Sequence, residues 1–139
     1  MEVNVVWKEN MQFLGTSANG HTTLMDAGVY AGGDGQGPSP MELILQAVAG
    51  CTGIDIVQTI KKMRMDIAKF EIKVMGTRAE EHPRRFTDIT IVYNFEGESL
   101  DPKKLKRAID LSMDKYCSVS KSLNADIRYD YTINGEIIK

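Results

Sequence analysis

The chain has 139 residues, enough for one domain with a hydrophobic core and too few for two. A hydrophobic share of 42% with 26% charged residues describes an ordinary globular chain rather than a disordered or fibrous one. The formal net charge of −2 leaves no broad basic field for nucleic acid or an anionic membrane.

"MEVNVVWKEN" places Val3, Val5 and Trp7 on one face, the period of a half-buried strand. It lacks the basic start and long apolar stretch of a secretory signal. "MQFLGTSANG" and "HTTLMDAG" predict two further short strands, with Asn19-Gly20 as a two-residue hairpin signal between them. "AGGDGQGP", residues 31–38, is rich in glycine and predicts a flexible loop, with too little chain on either side for a domain boundary.

The clearest element follows. Ser39 suits an N-cap, Pro40 the first helical position, and Glu42 completes an S-x-x-E capping box. The helix is expected to run to about Met65, apolar on nearly all sides as far as Ile60, and therefore buried. Glu42, Gln46, Asp55 and Gln58 make it a poor membrane span. "FEIKVMGTRAE" and "RFTDITIVYNFEG" alternate and predict an antiparallel pair joined through "EEHPR". A second helix, capped by Ser99 or Asp101 and opened by Pro102, carries an inner stripe of Leu105, Ala108, Ile109 and Met113 and ends near Tyr116. A short third helix begins at Ser118 or Val119, and "ADIRYDYTI" closes the chain as a strand. The order βββ-α-ββ-α-α-β is α+β, one domain over residues 1–139.

The two cysteines carry the functional question. Cys51 lies in mid-helix among Ala47, Ala49, Gly50, Thr52 and Gly53, with Asp55 and Gln58 one and two turns on. It reads either as a small buried hydrophobe or as a thiol placed for chemistry. Cys117 stands before a helix start, where free N–H groups favour a thiolate; alternatively it fills a gap at a helix end. Two cysteines without a secretory signal point to a reducing, cytoplasmic compartment. Cys51, Cys117, His21 and His82 would form a Cys₂His₂ set, but none has the close paired spacing of a structural zinc site. No phosphate-binding glycine motif occurs, so neither metal nor cofactor is expected.

"GPSPMELILQAVAGCTGIDIV" followed by "DLSMDKYCSVSKSL" resembles the OsmC/Ohr family of thiol-dependent peroxidases. "FLGTSANGHTTLMD" and "HPRRFTDI" bring it nearer the YhfA-like branch, over essentially the whole chain. The resemblance implies an intertwined homodimer with antiparallel sheets wrapped around a long buried central helix. It implies that Cys51 attacks an organic (fatty-acyl) hydroperoxide and becomes a sulfenic acid. Cys117 then resolves it to a disulfide, and an external dithiol reductant restores both. The apolar walls expected near Cys51 are Ile44, Val48 and Ile54.

Two positions depart from the family pattern. Met41 stands where active members carry a glutamate after the opening proline, and Glu42 comes one residue, or about 100°, later. No arginine precedes Arg64, and His21 falls where the family's early arginine is expected. Glu42, His21 and Asp55 are therefore the supporting candidates beside Cys51 and Cys117. The competing reading keeps the dimer and its apolar pocket as a small-molecule-binding or redox-sensing module without turnover.

Overall fold

The computed structural model describes residues 1–139. Seven strands form two sheets, three α-helices accompany them, and the chain divides into two compact units, Met1–Ile44 and Leu45–Lys139.

The first unit is a three-stranded antiparallel sheet of β1 (Val3–Trp7), β2 (Phe13–Ser17) and β3 (Thr22–Met25). Val3, Val5 and Trp7 share a face, as the alternation requires, yet all of β1 is exposed within the single chain. The β2–β3 connection has three residues rather than two. Ser17 pairs with His21 and its carbonyl accepts from Gly20 N–H, with Gly20 left-handed at φ 90°. The glycine at position 20 closes the turn as the third residue of a longer hairpin loop.

The glycine-rich segment is not a loose loop. It folds around the carboxylate of Asp26, which is 2% exposed. That carboxylate accepts from the backbone N–H groups of Ala27 at 2.7 Å, Asp34 at 3.2 Å and Gln36 at 3.0 Å. Asn10 and Gln12 reach the Asp34 carboxylate from β1's end, and Asn10 also donates to Gly32 O. Gly33 is required by close approach, since a Cβ there would sit 1.9 Å from the Ala27 carbonyl oxygen. Composition predicted flexibility because it could not show that one buried acid collects the loop's donors.

The long helix α1 (Pro40–Lys62) starts with the expected capping box: Glu42 accepts from Ser39 N–H at 3.0 Å, and Ser39 Oγ accepts from Glu42 N–H at 3.2 Å. The Ser39 N–H holds the Glu42 carboxyl below its ordinary range. The helix is long and apolar enough to cross a membrane by length and composition alone. Within the second unit it behaves as a core helix on one side only. Val48, Thr52, Gly53, Ile56 and Ile60 are buried, while Gly50, Ile54 and Val57 form an exposed stripe, Ile54 at 62%. The expectation of a helix covered all round is not met by this chain's own residues.

The second sheet has the order β4 (Lys69–Arg78), β5 (Phe86–Glu96), β6 (Asp126–Ile133), β7 (Glu136–Ile137). It corrects the expectation of purely antiparallel sheets: β5 and β6 run parallel, from Asp88 opposite Asp126 to Phe95 opposite Ile133. A parallel pair needs a crossover, and the chain supplies it through α2 (Pro102–Leu111), a π turn at Ser112–Tyr116 and α3 (Ser118–Lys121). Asp101 caps α2, accepting from Lys103 and Lys104 N–H. One face of the sheet is continuously apolar, with Ile72 opposite Tyr93, Phe70 stacked on Phe95 at 4.5 Å, and Ile91 opposite Tyr129. Leu105, Ala108 and Ile109 of α2 are fully buried. Tyr131 Oη donates to Pro102 O and Tyr129 Oη to Asp110, tying α2 to β6. A short β6–β7 hairpin, absent from the expected order, turns on Asn134 (φ 49°) and Gly135 (φ 86°).

Replacing Asp26 by alanine removes the buried acceptor of three part-buried backbone N–H groups. Asp26→Ala is expected to cost roughly 2–4 kcal/mol of stability, read from denaturant unfolding against the unsubstituted chain. A loss below half a kcal/mol would show that the loop does not depend on this carboxylate.

Candidate active site at Cys51 and Cys117

Cys51 sits on the shoulder of α1, half-buried, between the buried face and the exposed stripe. The small residues around it do two different things. Gly53 faces β4, where a Cβ would come within 2.9 Å of Ile72 Cδ1, whereas Gly50 has open space. Asp55 stands one turn beyond the thiol, as helical spacing requires.

Cys117 arrives from the crossover. After Leu111 the helix widens into one π turn, in which the Cys117 N–H donates to Ser112 O at 2.8 Å. Cys117 then caps α3: Ser120 N–H donates to its Sγ at 3.3 Å, and Ser120 Oγ donates to its carbonyl. The thiol is 1% exposed. Such π turns recur at functional sites because they re-aim the residues that follow.

These two segments, 66 residues apart in sequence (117 − 51), meet in space. The sulfurs of Cys51 and Cys117 and a carboxylate oxygen of Asp55 all lie within 4.8 Å of one another. Both thiols are free. Ser112 Oγ donates to Asp55 Oδ2 at 2.8 Å, so the crossover anchors the acid as well as the second sulfur. The sequence carries no mark for Ser112, because a serine ending a helix has no signal of its own. Beneath lies Tyr93, whose buried hydroxyl donates to Met113 Sδ at 3.7 Å; burial pushes its pKa well up, so it remains a donor.

The electrostatics of Cys51 are opposed. Burial pushes the thiol up, and the neighbouring Cys117 adds to this. The backbone N–H groups of Val119 and Ser118 act the other way, but the net shift is upward. Cys51, Asp55 and Cys117 are also the residues here that could hold a metal, a set that includes neither histidine.

Of the other candidates, Glu42 is engaged with Ser39 in the capping box of α1, and His21 is exposed at the β2–β3 turn, its carbonyl accepting from Ser17 N–H. Both belong to the first unit.

The model for OsmC-like proteins matches residues 33–132, a span that includes both cysteines. The protein YhfA of Escherichia coli K12 is 42% identical over 135 residues, which is 96% of this chain and 98% of that protein. The crystal structure of a hypothetical protein from Aquifex aeolicus VF5 superposes with a TM-score of 0.78 at 30% identity, covering 96% of each chain. The organic hydroperoxide resistance protein OhrB of Bacillus subtilis shares the fold, with a TM-score of 0.67 at 20% identity over 95% of this chain and 98% of that one. A match over most of the length and at this identity is decisive, and the chain belongs to the OsmC-like protein family.

Proposed function

We propose that the protein is a cysteine-based peroxide reductase that uses Cys51 and Cys117 on an organic hydroperoxide. The observation that carries this reading is the approach of two free sulfurs to within 4.8 Å across 66 residues of sequence. The Cys51 thiolate attacks one peroxide oxygen and the O–O bond breaks. The leaving alkoxide takes a proton and departs as an alcohol, and Cys51 is left as the sulfenic acid. The Cys117 sulfur displaces water from that sulfenic acid, closing the disulfide with both sulfurs drawn to about 2.05 Å. An external dithiol reduces the bridge by exchange and leaves oxidised itself.

Asp55 is assigned as the local proton acceptor, held by Ser112. The apolar substrate is supported by a shallow groove lined by Gly50, Ile54 and Val57 of α1 and by Phe70 and Ile72 of β4, on the same stretch of helix as Cys51 although the thiol does not line it. The hydroperoxide named for OhrB points to the same substrate class. A homodimer is supported by the uncovered apolar stripe of α1 and by exposed Val3, Val5 and Trp7 on β1. A chemistry that must be reset by thiols suits a reducing, cytoplasmic setting.

A specific observation favours a second reading, a slow redox-sensing or ligand-binding dimer. The Cys51 thiol is pushed up rather than down, and the nearest family carboxylate, Glu42, is committed to a helix cap.

Mass spectrometry after one equivalent of cumene hydroperoxide is expected to show loss of two hydrogens, mapped to a Cys51–Cys117 bridge. Cys117→Ser should stop at a trappable sulfenic acid on residue 51, and Cys51→Ser should reduce turnover to background. Full turnover in Cys51→Ser would remove the peroxidase reading. The pH dependence follows from the sign of the shift. Burial and Cys117 both disfavour the thiolate, so the reactive form arrives later as pH rises. Alkylation of Cys51 by iodoacetamide should therefore still be climbing above about pH 8.5, the ordinary midpoint. A plateau below pH 7 would reverse the assigned electrostatics and exclude the second reading. Sedimentation at micromolar concentration should give a two-chain mass, and Ile54→Glu should shift it toward one chain. A monomer in the unsubstituted protein would contradict the dimer.

A further inference from the structure

The same cluster has a second chemical capacity. Three atoms within 4.8 Å of one another share a point no more than about 2.8 Å (4.8/√3) from each of them. Zinc sits about 2.3 Å from thiolate sulfur and 2.0–2.2 Å from carboxylate oxygen. The difference to be closed is at most about 0.5 Å for each sulfur and about 0.8 Å for the oxygen. The ligand types also agree: two sulfurs select borderline-soft cations over magnesium or calcium, and a single carboxylate completes a three-ligand set.

The surroundings match what a metal–thiolate site uses. Ser120 N–H donates to Cys117 Sγ, which stabilises negative sulfur, and the backbone of Val119 and Ser118 favours the Cys51 thiolate in the same sense. The Asp55 carboxylate is oriented from outside by Ser112 Oγ at 2.8 Å, the role that outer hydrogen bonds play for ligating carboxylates. Cys51 and Asp55 are half-buried rather than sealed, so the cluster is reachable from solvent.

We propose that the reduced Cys51–Asp55–Cys117 cluster binds a thiophilic divalent cation of the zinc class, one per chain, through two sulfurs and one carboxylate oxygen with one position open to water. Binding exchanges two thiol protons for the metal and moves no electrons. It therefore requires the dithiol, and closing the disulfide releases the ion. The binding stands on the geometry alone. Its consequence for activity rests on the peroxide-reductase reading: sulfurs held by the metal cannot attack a peroxide, so the cation would act as a reversible inhibitor displaced by oxidation or chelation.

Cobalt is the direct probe. Titrating the full-length reduced protein with Co²⁺ should give a thiolate-to-metal charge-transfer band and intense tetrahedral ligand-field bands, saturating at one ion per chain and bleached by Zn²⁺. Cys51→Ser and Cys117→Ser should each weaken binding at least about tenfold, as should Asp55→Asn. The unsubstituted protein oxidised to the disulfide serves as a control that needs no substitution: the bands should vanish and return on reduction. Featureless spectra of reduced protein, or spectra unchanged by either cysteine substitution, would overturn the site, and unchanged binding in Asp55→Asn would overturn the three-ligand set. Peroxide turnover measured on the same preparations separates the two readings. Cobalt binding without turnover keeps the metal site and removes the peroxidase; turnover without binding does the reverse.

Discussion

The parallel pairing of β5 with β6 is the constraint on which the site depends. Two parallel neighbours cannot be joined by a tight turn, so residues 97–125 must cross back over the sheet before β6 begins. That crossover lays α2 on the apolar face, where Leu105, Ala108 and Ile109 disappear from solvent. It then ends in a π turn and a one-turn helix at the flank of α1, which is how Cys117 reaches Cys51. An antiparallel β5–β6 hairpin would have removed the whole segment that carries the second thiol. The sulfur pair is thus a consequence of strand direction, with the tyrosine contacts from β6 to Pro102 and Asp110 fixing where the crossover rests.

Around that pair, burial and hydrogen bonding pull in opposite directions. Removing Cys51 from water and facing it with Cys117 favours the neutral thiol; the N–H groups at the start of α3 favour the thiolate. Burial wins for the single chain. An added positive charge beside the thiol would oppose burial, because it favours the thiolate. A cation, a protonated histidine or an arginine brought by a second chain would each move it the same way. The uncovered stripe of α1 lies beside the thiol, so the surface that a partner would cover adjoins the group a partner could tune.

Much of this was legible in the residues. The capping box at Ser39 and Glu42, the cap at Asp101, and the strand pair from Phe70 and Arg85 follow from local rules, and local rules suffice for elements whose partners are near in sequence. The misreadings share a cause. Asn19-Gly20 has the dipeptide of a two-residue turn but sits in a three-residue one, because the register of β2 on β3 decides loop length. Asn134-Gly135, the same dipeptide, makes the genuine two-residue hairpin, and the chain end hid it. The glycine-rich segment looked unstructured because its organiser, Asp26, precedes it and acts through backbone donors that no side-chain pattern encodes. The parallel strand direction and the approach of Cys117 to Cys51 are long-range facts, and periodicity has no access to them.

The position of the carboxylates narrows the chemistry further. In this chain Glu42 accepts the Ser39 N–H at the start of α1. A carboxylate lowered by that bond is stabilised as an anion where it stands, which makes it a good cap and a poor proton carrier. The acid within reach of the thiols is Asp55, whose Oδ2 accepts from Ser112 Oγ. A lone carboxylate beside two sulfurs ligates a cation only as the anion, and so not while it holds a proton. The proton-acceptor role and the metal-ligand role proposed for Asp55 are therefore mutually exclusive uses of one site.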